Sequence, residues 1–470
     1  MQRLCYWALS VEELKIPPSS PGCLLGPTAL RILISGRNVK LFANIRSLEL
    51  NDITMLSIST NLIGPKLERL VVDIPPLTCQ EHVTLCRTAM EDLLGALANM
   101  SLQLTTLSVS IVHARWYQGR TLLSLVDVPG YERLVQNTAK TMRDFASSIP
   151  VTTLAAASLL RNVLDKCRID LSRADLAILN NFLDPFPEEK MPWSRMIDMG
   201  ITFYDLTDEA ISLLEKLKAP RLQALHLSTY VLPASTGPRI LQTMKTLTNL
   251  CSPDSLTSLQ VVLPLWNTES SSIKGQSDIP ILDAAALKPL LCFKNLLCLC
   301  IFSRDLAIDN HLVATMALAF PRLQKLYLFN HRAWNMPPTA TWKALALLNA
   351  RCQHLVELGL TIDARKHRLR YERGATNPRL RTWHVGTSPL PPPTAAKTLM
   401  DLGRAMHDKN PKLQHINFCG MDVTFNDRSL LQSLPEALRG RGRSWKEVAD
   451  YKLILSLCLQ HERTLTSGGR

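Results

Sequence analysis

Short apolar motifs with the spacing L-x-x-L-x-L recur along almost the whole chain and predict its secondary structure. The second and third apolar positions are two residues apart, so in a strand they point to one side of a sheet and the residue between them points to the other. Clear copies begin at Val11, Ile45, Leu67, Leu104, Leu222, Leu256, Leu296, Leu323, Leu355, Leu380 and Leu413. Two degraded copies, VTTLAA from Val151 and MIDMGI from Met196, fill the long gap after the Leu104 copy. The pattern therefore predicts a repetitive series of short strands.

A proline followed by a basic residue and a leucine marks the start of several of these strands. The motif reads GPKL, APRL, FPRL, NPRL and NPKL, from Gly64, Ala219, Phe320, Asn377 and Asn410. Proline cannot continue a helix and disfavours helical backbone in the residue before it, so each motif predicts a helix end directly before a strand. The Lys or Arg is expected to keep this junction exposed to water.

Segments with apolar residues at helical spacing lie between the strands. Their apolar positions are Met90, Leu93, Leu94 and Leu97; Ile211, Leu214 and Leu217; Leu241, Met244 and Leu247; Leu345 and Leu348 after Trp342; and Leu399, Leu402 and Met406. Each segment predicts a helix of about 10 to 15 residues that backs one strand.

Strand, loop, helix and return together predict an α/β fold, a right-handed leucine-rich-repeat solenoid or horseshoe with irregular repeats. A parallel sheet lines its concave side, helices lie on its convex side, and units of about 30 residues are typical of the helix-backed kind. We expect the solenoid to cover residues 1–434, with loop insertions near 266–278, 364–377 and 387–394. Residues 435–470 are expected to form a C-terminal helix and a basic tail.

Composition narrows the class of protein. The twelve cysteines show neither a CxxC pair nor the Cys/His spacing of a zinc site, which is typical of buried thiols in a reducing compartment. No secretory leader or long apolar run is visible, so we expect a soluble protein of the cytoplasm, the nucleus or both, without a membrane partner. The net charge of +13 invites a nucleic-acid partner, but much of the visible excess falls in a loop at 364–373 and a tail at 439–446.

Catalytic motifs are missing from the sequence. The sequence contains no phosphate-binding GxxxxGK[ST], no dinucleotide-binding GxGxxG, no HExxH and no GxSxG. It therefore predicts no enzyme, no cofactor and no metal site. His226, Cys298, Cys300, His384 and His415 recur on the predicted strands, where alternation makes them surface positions. A thiol-dependent enzyme that uses Cys300 and His226 stays as an alternative.

The residue between the second and third apolar positions of each motif predicts a binding face. These residues form a mixed ladder without one dominant charge, which suits a protein surface better than a phosphate backbone. The predicted partner-binding residues of the concave face, including one from the neighbouring row, are Glu49, Ser108, His226, Gln260, Cys300, Lys325, Tyr327, His384 and Asn417.

Loops that leave the strands carry large side chains, which predicts a second set of contacts at one rim. Trp, Tyr and Arg often dominate interface energies because they bury large areas and keep a polar group. The predicted rim residues are Arg115, Trp116, Tyr117, Tyr230, Arg304, Phe329, Arg332 and Trp334. The alternative for each loop Trp is that it covers the core of its own unit.

The irregular leucine units, the P-R-L junctions such as FPRLQKLYL and the Trp-bearing loops resemble the leucine-rich-repeat region of F-box proteins, especially those expanded in mushroom-forming fungi. The resemblance covers nearly the whole chain. It implies that the repeats hold a protein substrate while an F-box docks on a Skp adaptor of a cullin-based ubiquitin ligase. Here no F-box-like sequence precedes VEELKI at Val11. A solenoid's first unit exposes one apolar face, so we expect that a preceding domain has been lost or that a partner covers this end.

Two functions of different classes stay open. The first is the substrate receptor of a ubiquitin ligase, in which the repeats choose the target protein. The second is a stand-alone leucine-rich-repeat scaffold or adaptor without a ubiquitin role.

Overall fold

The computed structural model describes residues 11–16, 43–52, 56, 59–60, 63–74, 80–111, 128, 130–184, 192–231, 237–263, 282–303, 306–330, 338–363, 376–384, 410, 412–413, 415–418 and 421–424. The chain divides into an N-terminal unit, residues 1–204 with 212–222, and a C-terminal unit, residues 205–211 with 223–470.

Short strands alternate with helices in both units. The strands of the N-terminal unit are β1 (Glu13–Ile16), β2 (Ser47–Leu50), β3 (Arg69–Ile74), β4 (Thr106–Ile111), β5 (Asp144–Pro150), β6 (Lys166–Asp170) and β7 (Asp198–Phe203). Those of the C-terminal unit are β8 (Ala224–Thr229), β9 (Ser258–Val262), β10 (Cys298–Ser303), β11 (Lys325–Asn330), β12 (Glu357–Leu360), β13 (Thr382–His384), β14 (His415–Phe418) and β15 (Met421–Thr424). The described helices are α1 (Gln80–Ala98), α2 (Tyr131–Thr138), α3 (Thr153–Leu160), α4 (Leu176–Leu183), α5 (Asp208–Lys216), α6 (Gly237–Leu250), α7 (Ala284–Leu287), α8 (Asn310–Ala319) and α9 (Trp342–Arg351). Short 3₁₀ helices cover Pro192–Arg195 and Lys288–Cys292.

Sequential strands are neighbours in the sheet of each unit. From β1 to β7 and again from β8 to β14 every pairing is parallel, whereas β14 and β15 pair antiparallel. A parallel pair needs a crossover between its strands, and helices supply many of these crossovers here. The α/β leucine-rich-repeat architecture predicted from the sequence is confirmed.

The apolar motif positions form stacked rows in the core. Leu48, Leu70 and Leu107 are register partners on β2, β3 and β4, and all three are fully buried. In the C-terminal unit the row that begins at Leu225 continues through Leu259, Leu299, Leu326, Leu358 and Trp383 to Ile416. Burying each large apolar side chain contributes roughly 1.5 to 3 kcal/mol, so these rows are the main source of cohesion between neighbouring repeats.

One backbone hydrogen bond repeats just ahead of the strands. The donor is the backbone N–H of the residue that follows the first apolar residue of each motif. The acceptor is the backbone carbonyl of the residue at the same motif position in the preceding repeat. Examples are Glu68 to Arg46 at 2.8 Å, Thr105 to Glu68 at 2.8 Å and Gln324 to Leu297 at 2.8 Å. Because only backbone atoms take part, this bond is independent of the side chains at those positions.

The predicted proline junctions are tight turns. The residue before the proline is buried at Gly64, Ala219, Phe320, Asn377 and Asn410, while the Lys or Arg after the proline is exposed in all five motifs, as predicted. A Cβ added at Gly64 would lie 2.3 Å from the Ala43 carbonyl oxygen, so this junction requires glycine. The Asn377 side-chain amide donates to the backbone carbonyls of Cys352 and Leu355 at 3.3 and 3.0 Å, which links two successive junctions.

The helical segments predicted from Met90, Ile211, Leu241 and Trp342 are confirmed as α1, α5, α6 and α9. The segment predicted from Leu399 lies outside the described residues, as do the insertions at 266–278 and 387–394, residues 364–375 of the third insertion and the tail at 435–470.

One repeat assignment is wrong. The VTTLAA copy at Val151 is not a strand, because Thr152 caps the helix α3, and its hydroxyl accepts from the Ala155 N–H. β5 and β6 lie instead on either side of that helix, after Met142 and Leu164. The other degraded copy, at Met196, is confirmed as β7.

Candidate functional site

Alternation along the strands of the N-terminal unit leaves one face of its sheet partly open to solvent. On β2, Leu48 and Leu50 are buried, whereas Ser47 and Glu49, which alternate with them, are half-buried. The same register row continues through Val71, Ser108, Ala146, Arg168 and Gly200, of which the first four are also half-buried. We call the row from Glu49 to Gly200 the open ladder.

Ion pairs cross the open ladder between adjacent strands. Arg168 on β6 reaches Asp198 on β7 with two contacts, Nε to Oδ1 at 3.4 Å and Nη2 to Oδ2 at 3.1 Å, and these side chains are 22% and 19% exposed. The arginine needs the space beside Gly200, because a Cβ there would lie 2.8 Å from Arg168 Cγ. At the other end Lys15 Nζ lies 3.7 Å from Glu49 Oε2. These ion pairs therefore place both positive and negative charges on this face of the sheet.

The strand β5 interrupts the regular pairing next to this row. Its register with β6 shifts between Ala146 and Pro150, and the Ser147 hydroxyl donates to the Ile149 carbonyl at 2.9 Å within the irregular segment. Asp144 begins this strand half-buried. Burial raises the pKa of its carboxyl, while Lys166 and Arg69 act to lower it. Irregularities of this kind re-aim side chains and are common beside functional sites.

The corresponding row of the C-terminal unit is buried from β9 to β13. It consists of Gln260, Cys300, Tyr327, Gly359 and His384, which are successive register partners. Gln260 is 4% exposed, Cys300 3%, Tyr327 5% and His384 8%. His226 on β8, the strand before this row, is half-buried. We call the row from Gln260 to His384 the closed ladder.

A polar network occupies the middle of the closed ladder. The Tyr327 hydroxyl donates to Glu357 Oε2 at 2.8 Å, and Lys325 Nζ lies 2.9 Å from Glu357 Oε1. Burial raises the pKa of the Tyr327 hydroxyl well above its ordinary value, and Glu357 adds to the rise. The rings of Tyr327 and His384 approach to 5.5 Å across Gly359, whose missing side chain leaves room for this contact.

The predicted binding residues fall into distinct groups. Glu49 and Ser108 belong to the open ladder, His226 lies on β8, and Gln260, Cys300, Tyr327 and His384 belong to the closed ladder with Lys325 beside it. Asn417 lies on β14 in register with His384, and Phe329 lies on β11, but the side chains of both are outside the description. Tyr230 is half-buried directly after β8. The remaining rim residues, Arg115, Trp116, Tyr117, Arg304, Arg332 and Trp334, lie outside the described residues.

Sequence reasoning missed Ala146 and Arg168 of the open ladder, and Asp198 beside it. The first two were hidden because the motifs of their strands start at Met142 and Leu164 and place Phe145 and Cys167 where the template has leucine. Phe145 and Cys167 are each 1% exposed and fill the same core row as the leucines. Accepting Phe, Cys and Met at that template position is the signal that finds these strands.

Two kinds of feature are absent from the described residues. Among the helices in the described ranges, none is both long and apolar enough to cross a membrane. Within the same part of the chain, no group of three or more His, Cys, Asp or Glu residues is arranged to hold a metal ion.

Neither a protein-family model nor a curated protein matches the sequence. Among solved structures, a leucine-rich-repeat protein of Leptospira interrogans is similar over 89% of this chain and 98% of its own length, with 13% sequence identity and a TM-score of 0.30. At this identity and score, the similarity adds no argument about function.

Proposed function

We propose that this protein is a non-enzymatic protein-binding repeat domain and that its partner lies on the open ladder of the N-terminal unit. The observation that carries the proposal is the in-register row from Glu49 to Arg168. Its members are half-buried, whereas the residue directly before each of them on its strand is buried. A rigid sheet that holds polar side chains at fixed spacing can match the surface of another protein without moving.

The charges of this face favour a protein partner over a nucleic acid. A phosphate backbone requires Lys and Arg throughout, whereas here Arg168 is paired with Asp198, Lys15 with Glu49, and Asp144 lies near Lys166 and Arg69. Mixed charges of this kind provide selectivity, because a wrong partner brings like charges together. Small side chains at Ser108 and Ala146 leave room for a side chain of the partner.

The finer proposal is that the bound protein is a substrate and that the chain is the substrate-recognition part of an F-box-type ubiquitin ligase receptor, with Skp and cullin as further partners. It rests on the resemblance of the repeats and their P-R-L junctions to that family. The rim residues, among them Trp116 and Trp334, stay in the proposal as additional contacts. The alternative is a scaffold or adaptor with no ubiquitin role.

The test is affinity purification of the tagged chain from the lysate of its own cells, with Ser108→Arg and Ser158→Arg variants in parallel. Ser108 lies in the middle of the open ladder, whereas Ser158 lies on α3, so the same substitution is made on and off the proposed face. A protein captured by the wild type and by Ser158→Arg but lost with Ser108→Arg supports binding on the ladder. Equal capture by both variants contradicts it.

The same experiment separates the two finer functions. Recovery of Skp and cullin subunits with the wild type supports the ligase receptor. If a partner is captured on the ladder but those subunits are absent from every sample, the ligase proposal fails and the scaffold is supported.

A further inference from the structure

Two thiols lie side by side on the closed ladder. Cys298 and Cys300 are separated by one residue on β10, so both point to the same face of the sheet, and their Sγ atoms are 3.6 Å apart. They are 8% and 3% exposed. This distance is far longer than the roughly 2.05 Å of a disulfide bond, so both are reduced thiols in close contact.

The neighbouring strands place polar groups beside this pair. Cys298 is the register partner of Ser258 on β9 and of Lys325 on β11. The contact with Cys300 lowers the pKa of the Cys298 thiol, and Ser258 and Lys325 act in the same direction against burial and Glu357. Elsewhere burial raises the pKa of the thiols of Cys86 to about 11 and of Cys352 to about 12. The surroundings of the pair therefore favour a thiolate, unlike those of Cys86 and Cys352.

The spacing suits two bonds to one atom better than it suits a disulfide. Residues two apart on a strand are separated by about 6.6 Å along the chain, at the upper end of the Cα range for disulfides. A disulfide between these two residues would therefore lie at the limit of the usual geometry. Two sulfurs bonded at about 2.3 Å to a single centre with bond angles near tetrahedral, as trivalent arsenic has, lie roughly 3.8 Å apart, close to the observed separation. Two-coordinate monovalent copper is linear, so the two sulfurs must move apart to bind it.

We propose that Cys298 and Cys300 form a dithiol site that binds a soft, thiophilic centre through two thiolate bonds, such as a monosubstituted trivalent arsenical or monovalent copper. Such a centre needs only two protein ligands, which fits the lack of a larger ligand cluster in the described part of the chain. Thiolates are the ligands that soft ions select.

The chemistry of the two centres balances without an oxidant. An arsenical R–As=O reacts with two thiols to form two As–S bonds, the arsenic–oxygen double bond breaks, and the oxygen leaves with both thiol protons as water while arsenic stays trivalent. Monovalent copper displaces the two thiol protons and forms a bis-thiolate with one net negative charge. Lys325 on the adjacent strand favours that charge and at the same time forms an ion pair with Glu357.

The test uses the full chain, reduced and kept free of oxygen, with phenylarsine oxide as the first probe. Intact-mass spectrometry counts the phenylarsenic groups that resist competition by a monothiol. Against the wild type we compare the double variant Cys298→Ala/Cys300→Ala and a control, Cys251→Ala/Cys292→Ala. The control removes two other thiols of the same unit that lie close enough to influence each other electrostatically.

We expect the wild type and the control to retain one group that the Cys298→Ala/Cys300→Ala variant loses. The single variant Cys300→Ser should bind the group at least about 100-fold more weakly than the wild type, because it lacks the second, intramolecular bond. Far-UV circular dichroism and thermal unfolding of each variant confirm that it folds. If the double variant does not fold, the single variant Cys300→Ser serves in its place. It keeps one thiol, so it should react with a monofunctional alkylating reagent at Cys298 but release the arsenical to a monothiol.

Titration with monovalent copper against a chromogenic chelator forms the second arm and distinguishes the two centres. Retention of either probe through this pair supports the site and identifies its preferred centre. Equal retention of both probes by the Cys298→Ala/Cys300→Ala variant, or retention of neither by the wild type, overturns the proposal.

Discussion

The open ladder and the closed ladder occupy the same positions of the same repeat but differ in side-chain size and burial. On β4 and β5 the row holds Ser108 and Ala146, which are half-buried, whereas on β10 and β11 it holds Cys300 and Tyr327, which are almost fully buried. The template positions next to both rows, which face the core, are apolar. The leucine template therefore determines the core, while the intervening positions vary between a half-exposed row and a buried one.

Truncating one side chain in each ladder should give the largest difference in the free energy of unfolding between the two rows. Tyr327→Ala removes a buried ring and its hydrogen bond to Glu357, so we expect a loss of about 3 kcal/mol in the free energy of unfolding. Ser108→Ala should change that free energy by no more than about 0.5 kcal/mol. Urea denaturation of both variants measures the difference, and similar losses in the two would contradict the distinction between the rows.

Alkaline pH provides a second way to test the closed ladder. The folded-state pKa of Tyr327 is raised, so the folded chain holds its proton more tightly than the unfolded chain does. The resulting stability is fully present below the ordinary tyrosine pKa of about 10 and is lost as the pH rises through the folded value. We expect the free energy of unfolding to fall above about pH 10.

Tyr327→Phe is the control for this pH effect, because it keeps the ring and removes the titrating hydroxyl. The decline above about pH 10 should be smaller in this variant than in the wild type. Equal declines would assign the effect to other groups, such as the buried thiol of Cys352.

Much of this architecture could be predicted from the sequence, because leucine rows and proline junctions are local patterns. The errors came from side chains that substitute for leucine. Phe145 and Cys167 fill the core row without matching the template, while the Ala-rich VTTLAA segment matched it only partly and forms a helix capped by Thr152. Which ladder residues face solvent could not be predicted, since alternation gives the side of the sheet but not what else buries it. Cys300 and Tyr327 are therefore much less exposed than the pattern alone suggests.

A glycine substitution tests the geometry of the open ladder with a smaller effect. Gly200→Ala places a methyl group against Arg168 and should displace that side chain from Asp198, with a loss of roughly 1 kcal/mol and weaker partner capture. The control is Gly95→Ala in α1, where an added Cβ meets nothing within 4 Å. There we expect a gain of about 0.5 to 1 kcal/mol. Thermal unfolding measures the loss of stability expected for Gly200→Ala and the gain expected for Gly95→Ala. A loss of stability in both variants would contradict the explanation.

The smallest expected effect concerns the ion pair at the start of the open ladder. Lys15 and Glu49 are 59% and 27% exposed, so Glu49→Gln should lower the free energy of unfolding by at most about 0.5 kcal/mol, and added salt should abolish even that difference. Asp198→Asn serves as the comparison, because the contact of Asp198 with Arg168 is two-pronged and less exposed. A larger loss for Glu49→Gln than for Asp198→Asn would reverse our ranking of the two pairs.

The backbone bond that repeats ahead of the strands has a consequence for how such a chain can change over time. Since the Glu68 and Gln324 amides find their partners through main-chain atoms alone, the alignment of each strand with the next does not depend on what the chain does between them. Segments can therefore be lengthened, shortened or replaced at the crossovers while the sheet keeps its register. Uneven repeat lengths are then no defect of this fold, and new contacts can be added one repeat at a time.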